Sequence, residues 1–301
     1  MGANESKLKY KNYVYKIADS TRQIPPNSQY WSFFWREPNS AAEIYSLLTN
    51  TDIRSLRDAN IDQFILLIKI VCHRLIYLSS LKNITWEKFP KNELLNCLRI
   101  LTRILPFLYE APEYQIREKE LFWSLPKDQL SNADTQNTKS NPIPLGAKLI
   151  FTAMDLLFTT DLTVPSNLSK NTTPINFANN TDYIIWEPGI SQNAKFQEPN
   201  TEIDCNRLEI LRFLNVLCSQ CLYKSISNII PVGSRYLTVL VTSIDKIEIL
   251  TFISSLLNLT CRSTKSDTRV NGLEFSNSKF KELRTLMVTN AIQLLTLCVV
   301  Y

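Results

Sequence analysis

Along the chain, apolar residues recur three and four positions apart in long segments, and polar connectors separate these segments. From Asp62 to Leu81 the residues Phe64, Leu67, Ile68, Val71, Leu75 and Leu78 follow that spacing, which predicts a helix with one continuous apolar face. Asn92 to Glu110 repeats it with Leu94, Leu98, Leu101, Leu105 and Leu108, and Pro106 is expected to kink or end the helix. The same period predicts helices over Leu145 to Phe158, Arg207 to Tyr223, Lys246 to Leu259 and Lys279 to Tyr301. Ser40 to Leu48 opens with Ser40 where an N-cap belongs and Glu43 three residues later, the spacing of a capping box. Among the connectors, Asp128 to Asn141 has the composition of a mobile loop. Thr159 to Cys205 is long for a loop in a compact domain. Within it, YIIWEPG is expected to dock onto the helices as an aromatic plug or short strand. Helices that are each too apolar on one face to stand alone predict an all-α fold, an irregular α-solenoid or armadillo-like array, with a helical bundle as the alternative. The last residues, AIQLLTLCVVY, run apolar without a cap, so the chain is expected to be the N-terminal part of something longer or a truncated product.

Composition supports the helical reading: 45% of residues are hydrophobic and only 5 of 301 are Gly, which disfavours a turn-rich β architecture. The net charge of +5 is local. Lys7, Lys9, Lys11, Lys16 and Arg22 stand against Glu5 and Asp19 in the first turns, while the body is nearly balanced. A nucleic-acid-binding surface spreads its basic residues over a folded face, so no nucleic acid is expected as partner. The seven cysteines have no framework spacing and mostly fall in apolar helical patterns, as reduced, buried thiols of a cytosolic protein do. A secretory signal is not expected, because the first residues are polar, and sequons such as that at Asn83 then have no role. The longest apolar run, FILLIKIVCHRLIYL, is broken by Lys69, His73 and Arg74, so membrane contact is expected to be peripheral.

The chemistry-bearing residues are sparse. His73 is the single histidine and reads as structural. Five scattered glycines build neither a Walker loop nor a dinucleotide fingerprint. Cys218 and Cys221 have the spacing of half a zinc site, but their helical setting and the lack of a second pair favour core cysteines. Glu118 and Glu120 read as solvated charge. No catalytic residue, metal, cofactor or small-molecule substrate is expected. In the cluster YWSFFW, Trp31 and Trp35 share a helical face, which favours core filling over an interfacial membrane anchor.

The opening, MGANESKLKYKNYVYKI, is the stretch that does suggest a function. Met1-Gly2-x-x-x-Ser6 fits the N-myristoylation pattern, with Gly2 as acceptor and Ser6 as the small hydroxyl residue of the motif. One myristoyl chain holds a membrane only marginally, so a second signal is needed. As a helix the segment puts Tyr10, Tyr13, Val14 and Ile17 on one face, with lysines beside or opposite them. Lys7, Lys9, Lys11 and Lys16 are therefore expected to meet an anionic membrane surface. This divides the chain into a myristoylated basic anchor over 1–27 and a helical scaffold over 28–301.

The chain resembles the N-terminal region of the high-temperature-induced dauer-forming protein family, which belongs with dymeclin. The likeness is carried in order by MGANESKL, WSFFW, LLNCLRILTRILPFLYE, LFWS, DLLFTTDLTV, YIIWEPG, NRLEILRFL and FISSLLN, the helix with NCLRILTRILP being the most specific. It implies a myristoylated, helical, peripheral Golgi protein on the cytosolic face, supporting vesicle formation and cargo sorting at the trans-Golgi network through unidentified trafficking proteins, and no enzymatic activity. Only Gly2 and Ser6 carry over residue by residue. Family members are longer than this chain. The loops Asp128 to Asn141 and Ser166 to Thr181 are idiosyncratic, and their Asn, Ser and Lys content suggests a fungal source.

Overall fold

The computed structural model describes residues 2–19, 23–81, 86–125, 142–168, 181–190, 200–225, 227, 232–263 and 278–300. The expected loop over Asp128 to Asn141 lies outside them, as does most of Ser166 to Thr181. The all-α expectation holds: among the described residues there are helices and two isolated β-bridges, and no strand. In chain order the helices are α1 Gly2–Ala18, α2 Phe33–Arg36, α3 Ala41–Leu47, α4 Asn50–Ala59, α5 Ile61–Ser79, α6 Lys91–Ile104, α7 Pro106–Tyr109, α8 Pro112–Trp123, α9 Leu145–Leu157, α10 Thr201–Cys218, α11 Arg235–Thr242, α12 Lys246–Ser263 and α13 Ser278–Val300. The residues group into two compact units, one of Met1–Leu78 with Pro90–Leu149, the other of Ser79–Phe89 with Ile150–Tyr301.

In the first unit, the apolar stripes of α5 and α6 are buried as their spacing predicts, with Phe64, Ile68, Val71, Leu75, Leu94, Leu98 and Leu101 at 0% exposure. Pro106 ends α6 and opens α7, because a ring without an N–H is tolerated in a first turn but not inside a helix. Ser40 caps α3 by accepting from the Glu43 N–H, while the Glu43 carboxylate reaches the Asn39 N–H instead of that of Ser40. The complete capping box lies one helix later, where Thr49 and Asp52 each accept from the other's backbone N–H. The aromatic cluster is core: Trp31 and Phe34 are fully buried and Trp35 nearly so. Its strand-like approach is pinned by Gln63, which pairs with both backbone groups of Ile24, and by the Trp31 indole donating to the Pro25 carbonyl. Buried Asn96 closes its far end by donating to the carbonyls of Trp35 and Pro38. Where α9 begins, the Trp123 ring of α8 lies so close on Gly146 that an added Cβ would stand 2.9 Å from Cζ2.

In the second unit, α10 and α13 pack along each other, α12 packs on α13, and α11 touches both α10 and α13. Asn215 of α10 donates to the Asn290 carbonyl of α13, a side-chain amide bond that ties the two helices together. After α9 the chain turns sharply through LFTTDLTV: Asp161 takes a positive φ of 64°, Thr163 donates to the Leu156 carbonyl, and Asn206 of α10 donates to that of Leu162. Leu162, Thr163 and Val164 are thereby buried, so this turn is part of the core.

Candidate functional site

Two places in the fold collect the residues that the sequence marks out. The first is α1. Its backbone is helical from Gly2, and it packs on α3 and α4. Tyr10, Val14 and Ile17 are buried, with Tyr10 edge-on to Phe34 at 5.7 Å. Tyr13 stacks flat on Phe33, ring centres 3.7 Å apart, and its carbonyl accepts the Tyr30 phenol. This apolar face is spent on the protein, because the aromatic cluster of residues 30–35 offers it a dry partner. Burial at three such positions stabilises the docking by roughly 1.5–3 kcal/mol each. α1 groups with the first unit. On the other side of α1, Lys16 is exposed with its ammonium 5.4 Å from the Tyr13 ring centre, and Lys11 is half-exposed. Gly2, Ser6, Lys7 and Lys9 lie in the helix ahead of Tyr10, where only the backbone is described.

The second place is the segment YIIWEPG, which docks on the helices of the second unit as an aromatic plug. Thr181 pairs with Thr159 in one antiparallel bridge, and the chain then runs on without regular structure to Ile190. Trp186 is 1% exposed, flanked by Phe158 and Phe252, with the Arg207 guanidinium 5.0 Å from its ring centre. Glu187 takes both arms of the Arg284 guanidinium, a bidentate pair in which both side chains are largely buried. Three residues of α12, at successive turns, read the segment: Phe252 meets the indole, Ser255 accepts from the Trp186 N–H at 3.2 Å, and Asn258 bridges the bend. The Asn258 amide donates to the Glu187 carbonyl and accepts from the Ile190 N–H, both at 2.8 Å. Gly189 is required between them, since a Cβ there would stand 2.4 Å from the Asn258 oxygen.

At the start of the segment Tyr183 stacks on Phe158 and donates to the Asp155 carboxylate at 3.3 Å. Part of Asp155 faces solvent, but burial of its carboxyl end, with Glu248 nearby, pushes its pKa up to about 6. Burial, the Asp155 charge and Glu248 push Tyr183 upward too. Deeper in the unit, burial lowers Arg207 against the opposing pull of Asp204, its partner at 3.1 Å.

Among the described residues no group of His, Cys, Asp and Glu has the arrangement of a metal site. Cys218 and Cys221 are buried core thiols as expected, and burial drives Cys218 far above the usual thiol range. Cys72 and Cys97 are buried as well and Cys298 partly so, in line with the expectation of mostly buried thiols, while Cys205 and Cys261 are exposed. His73 is exposed on α5, and burial together with Lys69 and Lys148 lowers its pKa. Glu118 is buried and Glu120 exposed, so only the second is solvated charge. No described helix is long and apolar enough to cross a membrane.

Comparison with known proteins now decides the lineage. The family profile described as High-temperature-induced dauer-formation protein matches residues 1–301. The chain belongs to that family. The protein HID1 of mouse and that of human are each 26% identical to it over 300 residues, covering 98% of this chain and 36% of theirs. A fission-yeast relative (Schizosaccharomyces pombe) named Ubp5-interacting protein ftp105 is 30% identical over 325 residues, covering 87% of this chain and 35% of its own. The chain thus spans 35–36% of the length of these relatives. No solved structure matches it.

Proposed function

We propose that the chain serves as a peripheral membrane scaffold on the cytosolic face of the Golgi, anchored by a myristoyl group on Gly2 and supporting vesicle formation and cargo sorting through protein partners. One observation carries the anchoring: α1 is fastened to the protein through Tyr10, Val14 and Ile17, and its first turns run on beyond Tyr10 as helix. At 1.5 Å per residue Gly2 stands about 12 Å ahead of Tyr10, so the acceptor is offered on a stiff arm. With the apolar face of α1 already buried, the hydrophobic part of membrane binding falls to the acyl chain. The lysines supply the rest, on the order of 1 kcal/mol each beside an anionic leaflet. This reading assigns the chain no catalysis and no cofactor beyond the covalent lipid. The relative named for its interaction with Ubp5 supports a role exercised through protein partners.

The test is metabolic labelling with alkyne-tagged myristate, wild type beside Gly2→Ala, followed by membrane fractionation. Label and membrane association are expected to disappear together in the variant. A wild type without label, or a variant that stays on membranes, would replace this reading with that of a soluble helical adaptor placed by its partners.

A further inference from the structure

We infer that the groove formed by α9, α10, α12 and α13 is a recognition groove for an extended aromatic–acidic peptide, occupied in this chain by its own residues 183–190 and open to exchange with a partner peptide of the same chemistry. The grip is of the kind by which proteins hold peptide ligands. The helices contact the segment with separate side-chain receptors, and the backbone bonds from α12 to it come from side chains, Ser255 and Asn258, not from a sheet edge. Each receptor has one correspondent: the indole sits against Phe158, Phe252 and Arg207, the carboxylate on the Arg284 fork, and the glycine under the Asn258 amide. Buried aromatic and arginine anchors of this sort dominate peptide and protein interfaces.

The outer side of the segment remains in solvent, with Gly189 and Ile190 exposed and Tyr183 to Ile185 half-buried, so it lies on the helices as a surface strap. The groove's polar groups make an empty state costly. Ser255 and Asn258 are 0% and 2% exposed, and without the segment Asn258 loses both of its bonds. Release therefore requires replacement by a ligand that satisfies the same groups: a bulky aromatic, a carboxylate directly after it, and a residue without a Cβ two positions beyond the carboxylate. Arg284 fits the ligand's carboxylate, while Arg207, already paired with Asp204, serves its aromatic ring. The indole N–H of Trp186 has no acceptor among the described residues, so shape and the cation contact define that pocket and a phenyl ring fits it as well.

The experiment uses the full chain and a fluorescein-labelled peptide of the sequence TDYIIWEPGI, followed by anisotropy. In the wild type the tethered segment competes at an effective concentration on the order of millimolar, so the peptide binds poorly. Gly189→Ala weakens the tethered occupant against Asn258 and leaves every groove residue in place. This chain is expected to bind the peptide about tenfold more tightly than wild type, and Trp186→Ala, a second way to weaken the occupant, likewise. A peptide whose tryptophan is replaced by alanine should not bind. An Arg284→Glu chain should prefer the peptide carrying Glu187→Lys, a reversal that mere destabilisation of the fold does not produce. Equal binding to wild type and variants, or binding indifferent to the tryptophan and the glutamate, overturns the proposal. So does loss of helical circular dichroism in both Gly189→Ala and Trp186→Ala, because the segment would then be inseparable from the core. None of these readouts depends on lipidation, so the outcome is independent of the anchoring reading.

Discussion

Tyr10 carries its hydroxyl into the dry contact between α1 and the aromatic cluster, and the oxygen has no hydrogen-bond partner among the described residues. Replacing it by phenylalanine removes an unsatisfied polar atom and keeps the ring, so Tyr10→Phe is expected to stabilise the chain by about 1 kcal/mol in urea unfolding. Two carboxylates should show opposite pH signatures. Asp155 has its folded pKa raised to about 6 from 3.8, so its contribution is fully present below the lower value and is lost as pH rises through the higher. Asp155→Asn, which keeps an acceptor for Tyr183, should therefore raise the melting temperature near pH 7.5 and do little near pH 4. Glu110 is held below the usual range by hydrogen bonds from Arg54 and from Arg57, whose side chain is buried and also donates to the Phe107 carbonyl. Its contribution is present at neutral pH and lost as acid protonates it. Glu110→Gln should cost about 2 kcal/mol at neutral pH, with the difference from wild type closing as pH falls through the depressed pKa. None of these pairings is legible in the sequence, since Arg57 and Glu110 stand 53 positions apart.

At the scale of elements, periodicity located the long helices because each has a core face wide enough to impose its spacing, as α5 and α6 do. The helices it left out are α4, α8 and α11. α4 has only Ile53 and Leu56 as apolar core positions, too few to declare a period, and its start is marked instead by the capping box of Thr49 and Asp52. α8 buries only Glu118 and Phe122 and is mostly polar, so no apolar stripe announces it, although Pro112 stands at its first position. α11, only Arg235–Thr242, is too short for a period to declare itself. Thr49→Ala is expected to cost about 1 kcal/mol through loss of the cap, read by chemical denaturation. The plug YIIWEPG was legible as an aromatic segment without helical spacing. Its receptors were not: Ser255, Asn258 and Arg284 lie 69, 71 and 97 positions from their partners in it, on helices whose pattern marks them only as polar interruptions.

For the molecule as a whole, the basic first turns and the nearly neutral remainder make the proposed membrane association a matter of one end. Binding of the myristoylated chain to anionic vesicles should fall steeply with salt, and Lys11→Gln with Lys16→Gln should weaken it by about thirtyfold, one kcal/mol or so per lost charge, in a sedimentation assay. Deleting residues 1–27 is expected to do more than remove an anchor. It uncovers Phe33, Phe34 and their neighbours, so the shortened chain should bind a hydrophobic dye and aggregate on size exclusion. The all-α class was thus readable from the sequence, whereas the allegiance of α1 was not, because an amphipathic helix has the same pattern whether it faces lipid or its own protein. The Trp123 ring resting on Gly146 has a practical corollary. By joining the end of α8 to the start of α9, it closes a ring of chain around residues 126–141, whose ends are held whatever lies between them. A fluorescent protein or an epitope spliced into that interval should leave both helices where they are, giving a labelling port that spares α1 and the residues ahead of it.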